Sequence, residues 1–372
     1  DRRTDILEAL DDISILDLIE EEEQVITLSV RGYIKRMTTD QFQEQKRGGK
    51  GRRGVKSKNE DAAKDIFFAN THNDLLVFTK QGQMFKVPVH LIPESSRIAA
   101  GTPIVNLIPL DADDKVATVL SISSFEEEID LLFCSRKGLI KRTALVEYKN
   151  VSKRGIRAYN CAEGDSVLSV LLADMSQDIL VNTQKGKSIR FSGDSIRRVG
   201  RVARGVKGLT LRDDDGLASI AVFSAEEMED KRLLTVTENG YGKRTNLSEY
   251  RQQNRGGQGV RDIHTGERNG DVASTLIVED EDRIMLISEN GIIIKISVKS
   301  IRDQGRNTKG VRVMRIPEGD RMVSIVKVIE DDELDDEMLD LAEENLEDTI
   351  EDVDETIEED SGEEASEDIS EK

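Results

Sequence analysis

The chain has 372 residues, a formal net charge of −21, 34% charged side chains and two cysteines. That length allows one large or two ordinary domains, and two cysteines are too few for a disulfide framework, so a reduced, cytoplasmic protein is expected. No apolar run approaches the roughly 20 residues that a spanning helix needs, no signal-peptide pattern opens the chain, and the start at Asp1 without Met reads as a piece of a longer protein.

The acid is unevenly placed. Residues 1–24 carry 10 Asp and Glu against Arg2 and Arg3, and residues 330–372 carry 24 against the single Lys372. The segment between them, 25–329, holds 40 acids and 50 bases, a net of +10. Three parts follow: an acidic connector (1–24), a basic body (25–329) and an acidic, largely disordered tail (330–372). The overall negative charge therefore does not exclude a nucleic-acid partner for the body.

The first predicted element is a β-hairpin over 25–36 turning at Gly32, and it ends in Lys35 and Arg36. The same pattern returns at 75–87 (Gly82), 131–143 (Gly138), 179–191 (Gly186), 233–245 (Gly240) and 284–296 (Gly291). A spacing of about 50 residues is that of whole repeated supersecondary units. Asn239-Gly240 and Asn290-Gly291 carry the strongest hairpin signal, that of a type I′ turn. Cations follow every turn: Lys35 and Arg36, Lys86, Lys141 and Arg142, Arg190, Lys243 and Arg244, Lys295.

Directly after the first hairpin stands Gln45-Lys46-Arg47-Gly48-Gly49-Lys50-Gly51. Glycines let a backbone approach closely and take positive φ, and Lys46, Arg47 and Lys50 are long donors suited to phosphate oxygens. Gln45 could add a hydrogen bond to phosphate or brace the loop. Similar loops follow later hairpins: Lys153 and Arg154 before Gly155, Arg201 and Arg204 within 201–208, Arg255 within 254–259, Arg306 and Lys309 within 305–310. The second copy, Ala99-Ala100-Gly101, has only Arg97 nearby, and the fifth has Asn254 and Gln258 where the first has Gln45 and a base.

Strands rich in Val and Ile lie between the hairpins, at 65–69, 116–121, 167–172, 219–223, 272–278 and 322–328. The first hairpin has no such strand before it and the last such strand has no hairpin after it. We therefore expect 322–328 to join the blade begun by 25–36 and fasten a ring, as radial repeats do.

Several enzyme motifs fail. Gly186-Lys187-Ser188 lacks the first glycine of a phosphate-binding loop, because Val181 stands there, and it sits in a hairpin turn. His72, His90 and His264 have no metal-ligand spacing. Tyr33, Tyr148, Tyr159, Tyr241 and Tyr250 lie in or beside the blades, where packing is the ordinary role.

The heptapeptide 45–51, the six repeated units and runs such as 239–245 and 305–310 together resemble the C-terminal domain of bacterial DNA gyrase A over essentially the whole chain. The resemblance implies an all-β fold, a six-bladed β-pinwheel of repeated four-stranded blades that binds double-stranded DNA on its rim and wraps it positively. It implies a parent ATP-dependent type II topoisomerase, with ATP and Mg bound elsewhere, a catalytic Tyr upstream of Asp1 and no cofactor in this piece. The implied partners are DNA, the upstream part of gyrase A, and gyrase B in an A2B2 assembly, with no membrane. Two alternatives stand: a topoisomerase IV-like domain that lacks the heptapeptide and binds without chiral wrapping, and a propeller-like protein scaffold. For the tail, the plain reading is a solubilising polyanion, and the sharper one is a DNA mimic that competes for the rim.

Overall fold

The computed structural model describes residues 15–29, 31–39, 63–96, 99–174, 176–212, 214–290 and 292–328. The heptapeptide 45–51 and the tail 330–372 lie outside them. The described residues belong to one compact unit, Asp1–Ile329, built from six small antiparallel sheets.

Each blade is centred on a hairpin: Glu23–Ser29 with Tyr33–Thr38, Asp74–Thr79 with Gln83–Pro88, Asp130–Ser135 with Leu139–Ala144, Asp178–Thr183 with Lys187–Ser192, Arg232–Thr237 with Tyr241–Asn246, and Arg283–Ser288 with Ile293–Ser297. We number the blades 1 to 6 in that order. The turn of blade 5 closes through the Gly240 N–H, which donates to the Thr237 carbonyl at 3.0 Å. Gly240 thus follows the central pair Glu238 and Asn239 instead of belonging to it, which corrects the type I′ expectation. Its φ of 80° fits the left-handed residue that ends a type I turn with a bulge.

The inter-hairpin strands are Ala63–Asn70, Val116–Ile122, Val167–Ala173, Leu217–Phe223, Val272–Val278 and Met322–Val328. Each folds back on the first strand of the hairpin that precedes it, as in the pairing of Ile26 with Phe67 and of Ile284 with Lys327. Met322–Val328 therefore completes blade 6 and not blade 1. Every hairpin already owns the strand that follows it, so the ends need no shared blade. The ring closes by packing: these six strands touch in sequence, and Met322–Val328 meets Ala63–Asn70. Three of them bury every third residue, because neighbours press on both faces and not on one as in a half-buried strand.

What passes between blades is a two-residue strand. Thr102–Pro103 pairs with Tyr33–Thr38 of blade 1, Ile156–Arg157 with the second hairpin strand of blade 2, Val206–Lys207 with that of blade 3, Val260–Arg261 with that of blade 4 and Val311–Arg312 with that of blade 5. Each comes from the arm that follows the next hairpin. Sheet order puts the inter-hairpin strand at one edge and this exchanged strand at the other, so the exchanged strands form the rim. Blades 1 to 5 have four strands, and blade 6 has three among the described residues.

Apolar clusters glue adjacent blades. Between blades 2 and 3, Phe78 meets Phe133 edge-on at 5.4 Å and Phe133 stacks on Tyr159 at 5.8 Å. Such pairs are worth about 0.5–1.5 kcal/mol each beyond the area they bury. Before blade 1, the connector leans on the turn that follows its inner strand: Thr71 Oγ1 donates to the Glu20 carbonyl at 2.7 Å, and the first strand begins at Glu23.

Candidate nucleic-acid interface

The arms run across the preceding blade because they have to satisfy its open edge. Gly259 shows the fit: a Cβ there would lie 2.4 Å from the Ser188 carbonyl oxygen, and its φ is 69°. Only glycine can cross so close with that backbone. Related glycines open a four-residue pattern on each exchanged strand: Arg154-Gly155-Ile156-Arg157, Arg204-Gly205-Val206-Lys207, Gln258-Gly259-Val260-Arg261 and Lys309-Gly310-Val311-Arg312. In all four the apolar residue is half-buried and both flanking polar residues are exposed.

The post-turn cations do something different from what their spacing suggests. Lys141 is 0% exposed, and its ammonium donates to the carbonyls of Ala158 and Arg201, both at 2.6 Å, with the Phe133 ring 4.5 Å away. Lys243, also 0% exposed, donates to the carbonyls of Asp262, Gly305 and Arg306 at 2.5, 2.8 and 2.8 Å. Lys35 is buried and donates to the Ser96 and Ala99 carbonyls. Each lysine thus grips the backbone of the arm that crosses its blade. Burial pulls Lys141 down to about 7, with Arg201 adding to the effect, and burial pulls Lys243 down to about 8. Even-numbered blades carry Phe85, Ile189 and Ile294 three residues after the turn position, where blades 1, 3 and 5 carry lysine.

The next position holds ion pairs. Buried Arg142 binds Asp130 at 2.7 Å, Arg190 binds Asp178 at 2.5 Å, and Arg244 binds Asp280 at 2.6 Å and Asp303 at 3.0 Å. Half-buried Arg36 donates to the Ile92 carbonyl at 2.6 Å and faces Glu94 at 3.7 Å. Lys86 is exposed but paired with Asp74 at 3.1 Å, and Lys295 is half-buried. Lys35, Arg36, Lys141, Arg142, Arg190, Lys243 and Arg244 are therefore internal posts and not the free phosphate donors that a solvated hairpin end would supply. A buried cation whose donors are already matched has no reason to leave its site.

The arm cations are on the surface. Lys153, Arg154, Arg204, Arg255 and Lys309 are exposed, while Arg201 and Arg306 are half-buried. Arg255 spans back to the carbonyls of Ser195 at 3.1 Å and Lys207 at 3.3 Å. Gln45, Lys46, Arg47, Gly48, Gly49, Lys50 and Gly51 lie outside the described residues. Sequence reasoning missed Arg157, Lys207, Arg261 and Arg312, which sit at one register position on the outer edges of blades 2 to 5. The recurring Gly, Val or Ile, then Arg or Lys was the available signal. Arg312 is held there by a 2.7 Å hydrogen bond to the Tyr241 hydroxyl, and Arg268 lies over the same ring at 4.4 Å. Burial raises the Tyr241 pKa, but these two guanidiniums outweigh it and leave it lowered.

Among the described residues no group of three or more His, Cys, Asp or Glu side chains is placed to hold a metal ion, and no helix is long and apolar enough to cross a membrane. Tyr148, Tyr159 and Tyr250 are packed inside.

Comparison with known proteins agrees with this repeat. DNA gyrase A of Salmonella typhimurium is 38% identical over 338 residues, covering 90% of this chain and 38% of that protein. Its counterpart in Staphylococcus epidermidis is 38% identical over 335 residues, covering 90% of this chain and 37% of the relative. The chain thus spans a little over a third of the relatives it matches. Among solved structures, the C-terminal domain of DNA topoisomerase IV superposes with a TM-score of 0.70 at 27% identity, over 83% of this chain and 94% of that one. A DNA gyrase A C-terminal domain has the same fold, with a TM-score of 0.67 at 24% identity over 83% of this chain and all of that one. The model of the DNA gyrase C-terminal domain, beta-propeller, matches at residues 23–70, 73–123, 130–174, 177–224, 231–279 and 282–329, one match for each blade described above, and the chain belongs to that family.

Proposed function

We propose that this chain binds double-stranded DNA along its rim without regard to sequence, bends it and wraps it with positive handedness. The observation that carries the reading is the row of Arg157, Lys207, Arg261 and Arg312 on successive outer edges, each with a further exposed cation in its own arm: Arg154, Arg204, Arg255 and Lys309. A compact body of about 300 residues has a radius of gyration near 19 Å, hence an outer radius of roughly 25 Å. A duplex on such a rim has its axis near 35 Å, so about 10 bp subtends roughly 55°, close to the share of one blade in six. Each blade then meets the same face of the duplex once per helical turn. Bending costs on the order of 4 kcal/mol per blade by the elastic estimate, so several phosphate contacts per blade are required and binding weakens steeply with salt.

In this reading the domain serves a longer type II topoisomerase, as the C-terminal part of DNA gyrase A, working with gyrase B in an A2B2 assembly in the bacterial cytoplasm at the nucleoid. The catalytic Tyr, ATP and Mg belong to other parts of that enzyme, and wrapping gives it the ability to introduce negative supercoils. The Gln45–Gly51 loop is proposed to strengthen the wrap. The test is to seal a nicked plasmid in the presence of the chain, remove the protein and read the linking number. A positive shift that is lost in a Lys46→Ala, Arg47→Ala, Lys50→Ala variant supports the reading. Tight binding with no shift favours the second reading, binding without chiral wrapping, which the 0.70 TM-score to the topoisomerase IV domain makes the natural alternative.

A further inference from the structure

Arg268 stands outside the repeated register of rim cations, at the tip of a tight loop on the return leg of the arm that follows the blade 5 hairpin. The loop closes through the Gly270 N–H, which donates to the Gly266 carbonyl at 2.7 Å, and it is tied down on two sides. Asn239 Nδ2, in the hairpin turn of blade 5, donates to the carbonyls of Glu267 and Arg268, both at 3.0 Å. Buried Asn269 Nδ2 donates to the carbonyls of His264 at 2.8 Å and Lys309 at 2.6 Å. Lys309 opens the four-residue pattern that ends in Arg312, so the two loops are held side by side. Their guanidiniums meet at Tyr241, with Arg268 4.4 Å and Arg312 5.3 Å from the ring centre. Both side chains are exposed. Among the described residues neither has a carboxylate partner: Glu238 binds Arg321 at 3.5 Å, Asp271 binds Lys185 at 3.1 Å, and Glu267 enters the clasp through its carbonyl.

We propose that Arg268 and Arg312 close together on one backbone phosphate of the bound duplex, at the outer edge of blade 5. The proposal rests on the reading of the rim as a DNA track and adds a residue that the repeat does not supply. One guanidinium is enough to satisfy the Tyr241 hydroxyl, and Arg312 does so at 2.7 Å. A second, carried to the same ring by its own anchored loop, adds like-charge repulsion that a bound phosphate relieves. Each guanidinium presents its N–H groups as a planar fork that matches phosphate oxygens, so two forks at one place grip the anion from two sides. Because both loops are tied down before DNA arrives, less ordering is left to be lost on binding.

A double-mutant cycle read through salt dependence tests the clamp. The affinity of wild type, Arg268→Ala, Arg312→Ala and the double variant for a long linear duplex of mixed sequence is measured as salt is varied, with thermal melting to confirm equal folding. A phosphate held by both forks is lost when either goes. Each single variant and the double variant should therefore show the same fall in the slope of log affinity against log salt, about 0.9, the value for one phosphate contact. A fall of about 1.8 in the double variant would overturn the proposal, since the two arginines would then hold separate phosphates. An unchanged slope in Arg268→Ala, with wild type binding well, would also overturn it and leave the rim reading standing. Failure of wild type to bind at low salt would remove the DNA reading itself, and this proposal with it.

Discussion

Lys141 Nζ lies 2.6 Å from the carbonyl oxygen of Arg201, sixty residues further along the chain and on the arm that follows the next hairpin. The contact joins a blade to the segment that completes its outer edge. Lys243 makes the same kind of contact with Gly305 and Arg306.

Replacing either lysine by methionine keeps most of its volume but removes the donor to the Arg201 carbonyl in one case and to the Asp262 and Arg306 carbonyls in the other, while the Ala158 and Gly305 carbonyls keep hydrogen bonds from the Tyr148 and Thr308 hydroxyls. Each of Lys141→Met and Lys243→Met is expected to destabilise the fold by about 1–3 kcal/mol, the cost of stranding buried acceptors. Urea denaturation measures this. Lys86→Met, which removes an exposed pair with Asp74, should shift stability by less than about 1 kcal/mol, and a comparable loss there would contradict the clasp.

The same two lysines give the fold a pH dependence of defined sign. Their pKa values fall from 10.5 to about 7 and about 8 on folding. Between those values and 10.5 the unfolded chain binds more protons than the folded one, so stability rises with pH across this interval and falls as pH drops through the folded values. Cys134 and Cys161 are raised by burial above their ordinary 9.0, and Tyr148 and Tyr159 above their ordinary 10.0, which opposes the trend from about pH 9 upward. Denaturation midpoints should therefore increase from pH 7 to about pH 9, and the increase should shrink in the double methionine variant. A flat or falling profile in wild type would show that the carbonyls hold the ammonium charged.

Gly240 and Gly319 both have positive φ, near 80°, yet their surroundings differ. A Cβ on Gly240 would lie 2.1 Å from the Met314 carbonyl oxygen, whereas one on Gly319 meets nothing within 4 Å. Gly319→Ala should cost only the backbone strain, about 1 kcal/mol. Gly240→Ala should cost at least twice that and loosen the outer edge of blade 5, which amide hydrogen exchange at Val313 and Met314 would reveal.

Surface and interior cations should separate in a salt titration of DNA binding. Each of Arg157→Ala, Lys207→Ala, Arg261→Ala and Arg312→Ala should reduce the slope of log affinity against log salt by about 0.9, one counterion set per phosphate contact. The Lys141→Met and Lys243→Met variants, tested where they remain folded, should keep the wild-type slope. A fall in slope for the buried pair would return them to the interface.

The ring was legible because its turns are punctuated: Gly32, Gly82, Gly138, Gly186 and Gly240 mark hairpins whose apolar runs are long enough to show a pattern. The exchanged strands were not, since two residues such as Val206–Lys207 carry no periodicity, and pairing between distant segments leaves no local trace. The same gap hid the role of the cations. Lys141 and Lys243 look like solvated hairpin ends until an arm crosses them, and it is the crossing, not the hairpin, that buries them. Closure by 322–328 was misplaced because a strand between two hairpins can belong to either, and composition does not say which. The exposed arm residues Lys153, Arg154, Arg204 and Lys309 were legible as surface cations, since glycine-rich loops with no apolar side chain to bury stay outside.

The exchanged strands also set an order of events at the ribosome. Blade 1 lacks its outer strand until Thr102–Pro103 has been made, after the hairpin of blade 2, and blade 5 waits for Val311–Arg312. Each newly made blade is therefore handed on one strand short, its edge open until roughly one further repeat has emerged. A nascent chain stalled just after one of these exchanged strands carries a single unfinished blade at its leading end, with the blade before it sealed along its outer edge.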